Sequence, residues 1–369
     1  KGPNDSILHS PIGEYYSTLS LWDTYRAAHP LYTLLVPEKV NGLVNSMLSH
    51  CDTQGYLPIW ALWGKENHCM IGNHAIPVIV DAYLKGYKGF APERDYEEIR
   101  KSSLESHPMS DWETYNQYGY YPFDLIPEES VSRTLESCYD DYCVAQMAKE
   151  LGKKEDYNFF SKRDRAYTSL FDPVTKLMRG KDSQGKWREP FDPFRLSHAG
   201  TSGGDYTEGN AWQYVWHVQH DVDSLIEMMG GNKAFTAKLD SLFWLENNTV
   251  NTGFVSDVTG LIGQYAHGNE PSHHVAYLYN YAGEPWKTQE LVREIFDRFY
   301  LPVPDGLCGN DDCGQMSAWY LFSAMGFYPV DPISGEYIIG APQLKEMVLR
   351  MEAGKNFTIR AENLSKENK

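Results

Sequence analysis

The sequence has little positive charge for its size, and it contains no long apolar run. Of its 369 residues, 33 are Lys or Arg and 50 are Asp or Glu, which gives a formal net charge of -17. Nucleic acid and anionic membranes repel such a surface, so neither is expected as a partner. No apolar run approaches the roughly 20 residues that a membrane-spanning helix needs. An excess of acid is, however, compatible with binding of hard cations.

Cysteine is scarce and poorly spaced for a structural metal site. None of the six cysteines forms a CxxC pair, and no Cys/His cluster has the spacing of a zinc finger. The zinc-protease motif HEXXH is also absent. We interpret Cys138 and Cys143 as core or free thiols. Cys308 and Cys313 flank a short loop that they could bridge in an oxidising compartment.

Aromatic residues, by contrast, are abundant, with 26 Tyr and 10 Trp and an aromatic content of 14%. Sugars present flat C–H faces edged with hydroxyl groups, and Tyr and Trp offer an apolar plane with a polar tip. This content suits a carbohydrate-binding cleft, although a large helical core would also absorb many of the rings.

The hydrophobic pattern predicts helix after helix from about residue 30 to residue 330. The clearest apolar stripe runs along 130–151 and is ended by Gly152. Further helices are predicted at 37–55, 74–85, 157–170, 210–229, 233–245, 272–282, 288–299 and 315–325. Short turns alternate with long polar and aromatic loops, which is typical of a toroid of helical hairpins. We therefore expect a mainly α protein with an (α/α) barrel at 1–330 and a site on its long loops.

The pattern changes after Pro329. Alternating apolar and polar residues predict strands at 336–339, 345–351 and 356–361. We interpret residues 331–369 as the start of a C-terminal β-sandwich module.

Four polar and aromatic stretches are candidates for a functional site. The first contains Trp22, Asp23 and Arg26. Asp23 and Arg26 are three residues apart and can share one face of a helix. The alternative is a capped helix start with a salt bridge.

The second stretch contains Glu208 at the mouth of a predicted helix, close in sequence to Trp212 and Tyr214. A carboxyl group beside aromatic rings loses hydration, which favours its protonated form and suits a general acid. The alternative is a glutamate in the first helical turn that interacts with the helix dipole. His217 and His220 follow and could ligate a metal, or could be histidines hydrogen-bonded within the protein.

The third stretch contains Asn269 and Glu270, which offer hard oxygen ligands of the kind that calcium takes from loops. A zinc site would instead use His273 and His274 at the start of the next helix. The oxygen-rich surroundings favour calcium.

The fourth stretch places Asp311 and Asp312 side by side before a helix. Adjacent negative charges need a metal, an arginine or a helix N-terminus to stabilise them. The alternative is one capping aspartate and one solvated aspartate. Together with Glu208, these acids could supply the two carboxylates that glycoside cleavage requires.

These stretches also resemble signatures of glycoside hydrolase family 92, the calcium-dependent exo-α-mannosidases. The resemblance rests on six motifs in the order of the family, SLWDTYRAAHP, GNHAIPVIVDAYLKG, SVSRTLESCYDDYCVAQMAK, TEGNAWQYVWHVQHD, GNEPSHH and GNDDCGQMSAWY. It covers nearly all of residues 15–369 and implies an (α/α)6-type barrel.

The resemblance also implies roles for individual residues in an inverting reaction. Glu208 matches the general acid, and Asp312 matches the general base that activates water. Asn269 and Glu270 match the region that holds a Ca²⁺ ion, which binds the 2- and 3-hydroxyls of the sugar. Substrate contacts are implied for Trp22, Asp23, Arg26, Asp311, His273 and His274.

The expected substrates are mannose-containing glycans, such as N-glycans or yeast-type mannan, with an α-1,2 preference. We expect a location outside the cytoplasm, in the periplasm, at the cell surface or in the medium. The family carries an N-terminal β-sandwich domain that contributes to the site, and the resemblance implies that this chain is a fragment without it. The alternatives are another (α/α)-barrel glycosidase that acts on glucosides, and a glycan-binding protein without catalytic activity.

Overall fold

The structure is a computed structural model that describes residues 7, 9–10, 13–198, 204–246, 255–351 and 354–365. The chain folds as two compact units. The first unit comprises Lys1–Tyr120, Arg133–Ser169 and Asp331–Gly335, and the second comprises Tyr121–Ser132, Leu170–Val330 and Glu336–Lys369. The predicted division at residue 330 into a barrel and a strand segment stays a prediction.

Helices dominate the first unit. They span Leu21–Thr24, Ala28–Leu35, Pro37–Gln54, Ala75–Leu84, Pro92–Leu104, Trp112–Tyr118 and Lys154–Arg163, and the unit also holds most of the long helix Ser130–Glu150. Short 3₁₀ turns lie at Ala166–Ser169 and Pro332–Ser334. The strands Leu19–Ser20, Trp60–Leu62 and Lys65–Glu66 pair antiparallel in that order.

The core of the first unit forms where the apolar faces of three helices meet. Met47, Ile79 and Val144, one from each helix, are completely buried. Each such side chain contributes about 1.5–3 kcal/mol to the hydrophobic driving force. The helix that starts at Pro37 ends at Gly55, whose φ of 93° provides the left-handed C-cap.

The second unit mixes shorter helices with hairpins. Its helices span Ala211–Tyr214, Val222–Met229, Asn232–Trp244, Pro285–Phe299 and Gln315–Met325, with 3₁₀ turns at Glu270–Ser272 and Val275–Asn280. Antiparallel strand pairs join Phe171–Asp172 to Leu177–Met178, Leu261–Ile262 to Tyr265–Ala266, Phe327–Tyr328 to Ile338–Ile339, and Glu346–Arg350 to Asn356–Arg360. Within the described ranges, no helix combines the length and apolar character that crossing a bilayer requires.

Two of the predicted helices are wrong. The helix expected at 210–229 ends at Tyr214 and restarts at Val222. The carbonyl of Trp216 accepts hydrogen bonds from Val218 N and from the ring of His274, so it is not available to continue the helical ladder.

The helix expected at 272–282 is a pair of 3₁₀ turns. In the second turn the Thr288 hydroxyl donates to the Ala276 carbonyl at 2.7 Å, where an α-helix would place a backbone N–H. The helix expected at 157–170 begins earlier, at Lys154, and ends at Arg163. Sequence reasoning also missed the helices Ala28–Leu35, Pro92–Leu104 and Trp112–Tyr118.

Candidate active site

Glu208 lies in the second unit, two residues before the N-cap of the short helix Ala211–Tyr214. Asn210 caps this helix by accepting from Trp212 N and Gln213 N, and Gln213 completes a capping box. Glu208 is therefore outside the helix, which corrects the alternative of a first-turn glutamate. Its carbonyl accepts a hydrogen bond from Asn269 Nδ2 at 2.9 Å.

Asp312 lies in the turn before the helix Gln315–Met325, and its neighbour Asp311 has a different environment. Asp311 is exposed, and its Oδ1 accepts from Ser317 N at 2.8 Å, so it satisfies one of the free N–H groups in the first turn of this helix. Asp312 is half-buried. Burial, followed by the charges of Glu208, Asp257 and Asp311, raises the pKa of Asp312 to about 6. Glu208 and Asp312 therefore lie close enough to interact electrostatically.

Glu208 and Asp312 share an unusual backbone conformation. Their φ angles are 47° and 45°, in the left-handed region that side chains other than glycine rarely adopt. Such a conformation costs about 1–3 kcal/mol per residue and is concentrated at functional sites. The fold of the second unit holds both acids in this state, which marks each of them as a candidate functional residue.

Glu270 brings a third carboxylate to this part of the second unit. Its side chain is completely buried, at the first position of the 3₁₀ turn Glu270–Ser272. One of its carboxylate oxygens lies within 4.8 Å of a carboxylate oxygen of Asp312. Two carboxylates at this separation can share one cation, and hard oxygen donors are the ligands that calcium prefers. The residues present therefore fit a calcium ion better than zinc.

His273 and His274 make hydrogen bonds inside the second unit. The Nε2 atom of His273 lies 3.1 Å from the carbonyl of His267, and its Nδ1 accepts from Gln315 Nε2 at 3.1 Å. His274 Nε2 donates to the carbonyl of Trp216 at 2.8 Å. These bonds place the rings in structural contacts and argue against the zinc alternative. Their predicted role as substrate contacts stays a prediction.

The remaining candidates, Trp22, Asp23 and Arg26, lie in the first unit. Trp22 and Asp23 belong to the one-turn helix Leu21–Thr24, and all three side chains are at least 95% buried. Arg26 faces Glu136, with Nη2 3.7 Å from Oε1. The Ser20 hydroxyl donates to Asp23 Oδ2. Their predicted role in gripping a sugar stays a prediction.

Sequence reasoning missed His198 and Asp257, both in the second unit. His198 Nε2 lies 3.3 Å from Glu208 Oε1. Asp257 accepts from Asn310 Nδ2 at 3.4 Å and helps to raise the pKa of Asp312, after burial and Glu208. Both residues lie in long loops without periodicity, and only their polar character could have drawn attention to them.

Cys138, Cys143, Cys308 and Cys313 form no disulfide with any residue that the structure describes. Cys138 and Cys143 are completely buried, which confirms them as core residues. Cys308 is half-buried and Cys313 is exposed.

A family model and solved structures point to one family. The family described as "Glycosyl hydrolase family 92 catalytic domain" matches residues 2–369. A family GH92 alpha-mannosidase from Bacteroides thetaiotaomicron, solved in complex with mannoimidazole, is 47% identical with a TM-score of 0.92, over 99% of this chain and 48% of that chain. This likeness confirms the predicted fold class, mainly α and of the (α/α)6 barrel type.

Two further relatives are more distant. A family GH92 inverting mannosidase from Bacteroides thetaiotaomicron VPI-5482 is 38% identical with a TM-score of 0.83, over 94% of this chain and 48% of that chain. A protein of Arthroderma benhamiae named "Uncharacterized secreted glycosidase" is 28% identical over 387 residues, 95% of this chain and 46% of that protein. The chain therefore spans about half the length of the relatives it matches.

Proposed function

Because this chain belongs to glycosyl hydrolase family 92, we propose that it carries the catalytic carboxylates of an inverting exo-α-mannosidase. The observation that carries the proposal is the pair of strained acids, Glu208 and Asp312, in one unit. After burial, the charge of Glu208 is the largest cause that raises the pKa of Asp312. The names of the solved neighbours, an alpha-mannosidase and an inverting mannosidase, support the choice of sugar and of stereochemistry.

The proposed reaction assigns one proton transfer to each acid. Glu208 donates its proton to the glycosidic oxygen as the bond from that oxygen to C1 breaks. Asp312 accepts a proton from a water molecule, and the water oxygen forms the new bond to C1 from the opposite face. The products are mannose of inverted configuration and the shortened glycan. Solvent then returns a proton to Glu208 and removes one from Asp312.

Calcium is part of this proposal, with Glu270 and Asn269 as the residues that would hold it. A bound calcium ion would supply a positively charged anchor for the 2- and 3-hydroxyls of a mannose ring. The buried Glu270 carboxylate and its closeness to Asp312 support this assignment. In the same proposal, six residues orient the sugar, namely Trp22, Asp23, Arg26, Asp311, His273 and His274.

We further propose that the substrates are mannose-containing glycans outside the cytoplasm, such as N-glycans or yeast-type mannan, with α-1,2 linkages preferred. The secreted glycosidase of Arthroderma benhamiae supports the location. The remaining half of the relatives' length, which includes the expected N-terminal β-sandwich domain, is proposed to complete the site.

The test is proton NMR of the product that the full-length protein releases from linkage-defined mannobioses. Inversion predicts β-mannose as the first product, with the α-1,2-linked substrate cleaved fastest. Release of α-mannose first would overturn the inverting assignment. Cleavage of nitrophenyl glucosides without cleavage of any mannoside would overturn the assignment of mannosides as substrates. Sugar binding without product release would overturn the assignment of catalytic activity.

A further inference from the structure

A buried imidazole between two carboxylates forms the centre of a polar network in the first unit. His74 is the N-cap residue of the helix Ala75–Leu84. Its Nε2 lies 2.8 Å from Glu136 Oε2, and its Nδ1 lies 2.9 Å from Asp140 Oδ1. The two acids are four residues apart on the helix Ser130–Glu150 and share one face. All three side chains are at most 2% exposed.

The two carboxylates of this network favour a protonated imidazole. Burial acts to lower the pKa of His74, but the charges and hydrogen bonds of Asp140 and Glu136 outweigh it and raise the pKa to about 9. Nδ1 then donates to Asp140 Oδ1, and Nε2 forms an ion pair with Glu136 Oε2. The ring of Tyr25 stacks on the imidazole with centroids 4.2 Å apart. With Arg26 included, the network contains two anions and two cations.

Glu136 connects this histidine to the segment predicted to grip the sugar. While Oε2 faces His74, Oε1 accepts from Trp22 Nε1 at 3.1 Å and lies 3.7 Å from Arg26 Nη2. Arg26 in turn donates from Nε to the Trp22 carbonyl at 3.0 Å, and its guanidinium lies over the Trp22 ring at 4.9 Å. The residues on either side of Asp23 are thereby tied to one carboxylate.

The segment needs such support because its own helix is very short. The helix Leu21–Thr24 has four residues and no side-chain hydrogen bond at its N-cap. A helix of this length is not stable by itself, since the first turn fixes several residues for a single hydrogen bond. Its geometry therefore depends on contacts with the rest of the unit, and the Glu136 contacts are polar, directional and buried.

We propose that Glu136, His74 and Asp140 are positioning residues that hold the segment Trp22–Arg26 in the conformation required for sugar binding. The inference rests on the proposed function, because that function assigns sugar binding to the segment. Replacement of a buried ion pair by apolar residues is often neutral or stabilising. Core stability alone therefore does not explain why four charges lie here, whereas orientation of a binding segment does.

Two neighbouring aspartates on the same helix provide a matched test. Asp140→Asn removes one carboxylate from His74, whereas Asp141→Asn removes the partner of Arg163, which donates from Nε to Asp141 Oδ2 at 2.8 Å. Both aspartates are buried, so both variants report the cost of losing a buried charge. Only Asp140 is linked through His74 and Glu136 to Trp22.

The kinetic readout uses the full-length protein and mannobiose. Asp140→Asn is expected to raise KM roughly tenfold with a smaller change in kcat, since a small misplacement of a binding group is costly. In the wild type, KM should rise at alkaline pH as His74 loses its proton. In Asp140→Asn this rise should occur at lower pH, because His74 has lost a partner that favours its charged form. Asp141→Asn should lower the melting temperature without either effect. Equal KM values and equal pH profiles in the two variants would overturn the inference.

A second readout needs no turnover and separates the inference from the proposed function. The indole N–H of Trp22, assigned in NMR spectra by Trp22→Phe, should exchange with solvent faster in Asp140→Asn than in Asp141→Asn. If Asp140→Asn does not fold, His74→Gln replaces it with the same expectation. Equal exchange rates of the Trp22 indole N–H in the two variants would overturn the proposed link from Asp140 to Trp22, whether or not the protein cleaves mannosides. Faster exchange in a protein whose wild type cleaves no mannoside would leave the network in place and reject the function.

Discussion

His198 Nε2 lies 3.3 Å from Glu208 Oε1 in the second unit, and the two side chains are 27% and 11% exposed. The hydrogen bond to Glu208 is the largest cause that raises the pKa of His198, and it outweighs the opposing effect of burial. The His198 ring, which can carry a proton, therefore contacts the carboxyl group of Glu208, the residue proposed as the general acid. The contact makes the pKa of His198 sensitive to the Glu208 side chain.

The first prediction uses His198 as a reporter. Glu208→Gln should lower the pKa of His198 towards its ordinary value, because the ring loses the interaction with the Glu208 carboxyl group that is the largest cause of its raised pKa. The pKa is measured by NMR titration of the histidine ring. Asp257→Asn is the control, since Asp257 is a minor cause of the same shift and should lower the pKa less. An unchanged pKa in Glu208→Gln would mean that the contact does not form in solution.

The second prediction separates the roles of the two acids by the leaving group. Glu208→Gln should slow the hydrolysis of mannobioses by roughly 10²- to 10⁴-fold, the usual contribution of a general acid. A dinitrophenyl mannoside should be much less affected, because its leaving group departs without protonation. Asp312→Asn should slow both substrates, since both require activated water. Steady-state kinetics on the two substrates measures the difference, and equal losses in both variants would contradict the assignment.

The third prediction concerns the metal. Treatment of the full-length protein with EDTA should abolish mannosidase activity, and calcium should restore it, because Glu270 and Asp312 then repel each other without a cation. Glu270→Gln should require a higher calcium concentration for half-maximal activity. Calcium titrations of activity and of binding heat measure both effects. Activity that is indifferent to chelation would remove calcium from the proposal.

The sequence predicted those features that local patterns determine. The helix Gln315–Met325 was predicted at its observed bounds, and the strands Glu346–Arg350 and Asn356–Arg360 were predicted within one residue at each end. The carboxylates of Glu208 and Asp312 could be chosen because their stretches are polar and aromatic where a structural loop has no need to be. Fold class followed from helical periodicity and from the six motifs.

Features that depend on distant contacts could not be predicted. His74 and Asp140 are 66 residues apart in sequence, and Trp22 and Glu136 are 114 residues apart, so no local pattern connects them. The interruption after Tyr214 arises because the ring of His274, 58 residues beyond Trp216, bonds to the Trp216 carbonyl. Periodicity describes which residues are apolar, but it does not record which backbone groups a distant side chain will occupy.

The buried carboxyl group of Asp331 is expected to make the stability of the first unit depend on pH. It is largely buried, and its Oδ1 accepts from the Tyr139 hydroxyl at 2.9 Å and from Ile333 N at 3.3 Å. Burial outweighs these hydrogen bonds and raises the pKa of Asp331 to about 7. The folded chain therefore holds this proton more tightly than the unfolded chain, whose aspartates titrate near pH ~3.9. This contribution to stability is complete below pH ~3.9 and is lost as the pH rises through about 7.

The fourth prediction follows from that sign. Asp331→Asn carries no charge at any pH, and its side-chain oxygen can still accept from Tyr139. The difference in unfolding free energy, wild type minus variant, should therefore fall between pH 5 and pH 8, by about 1.4 kcal/mol for each unit of pKa difference titrated. Urea unfolding of both proteins at the two pH values measures it. Asp52→Asn, an exposed aspartate of the same unit, serves as the control and should leave the difference flat. A difference that rises with pH would mean that the folded state favours the charged form of Asp331, and that its tyrosine hydrogen bonds outweigh burial.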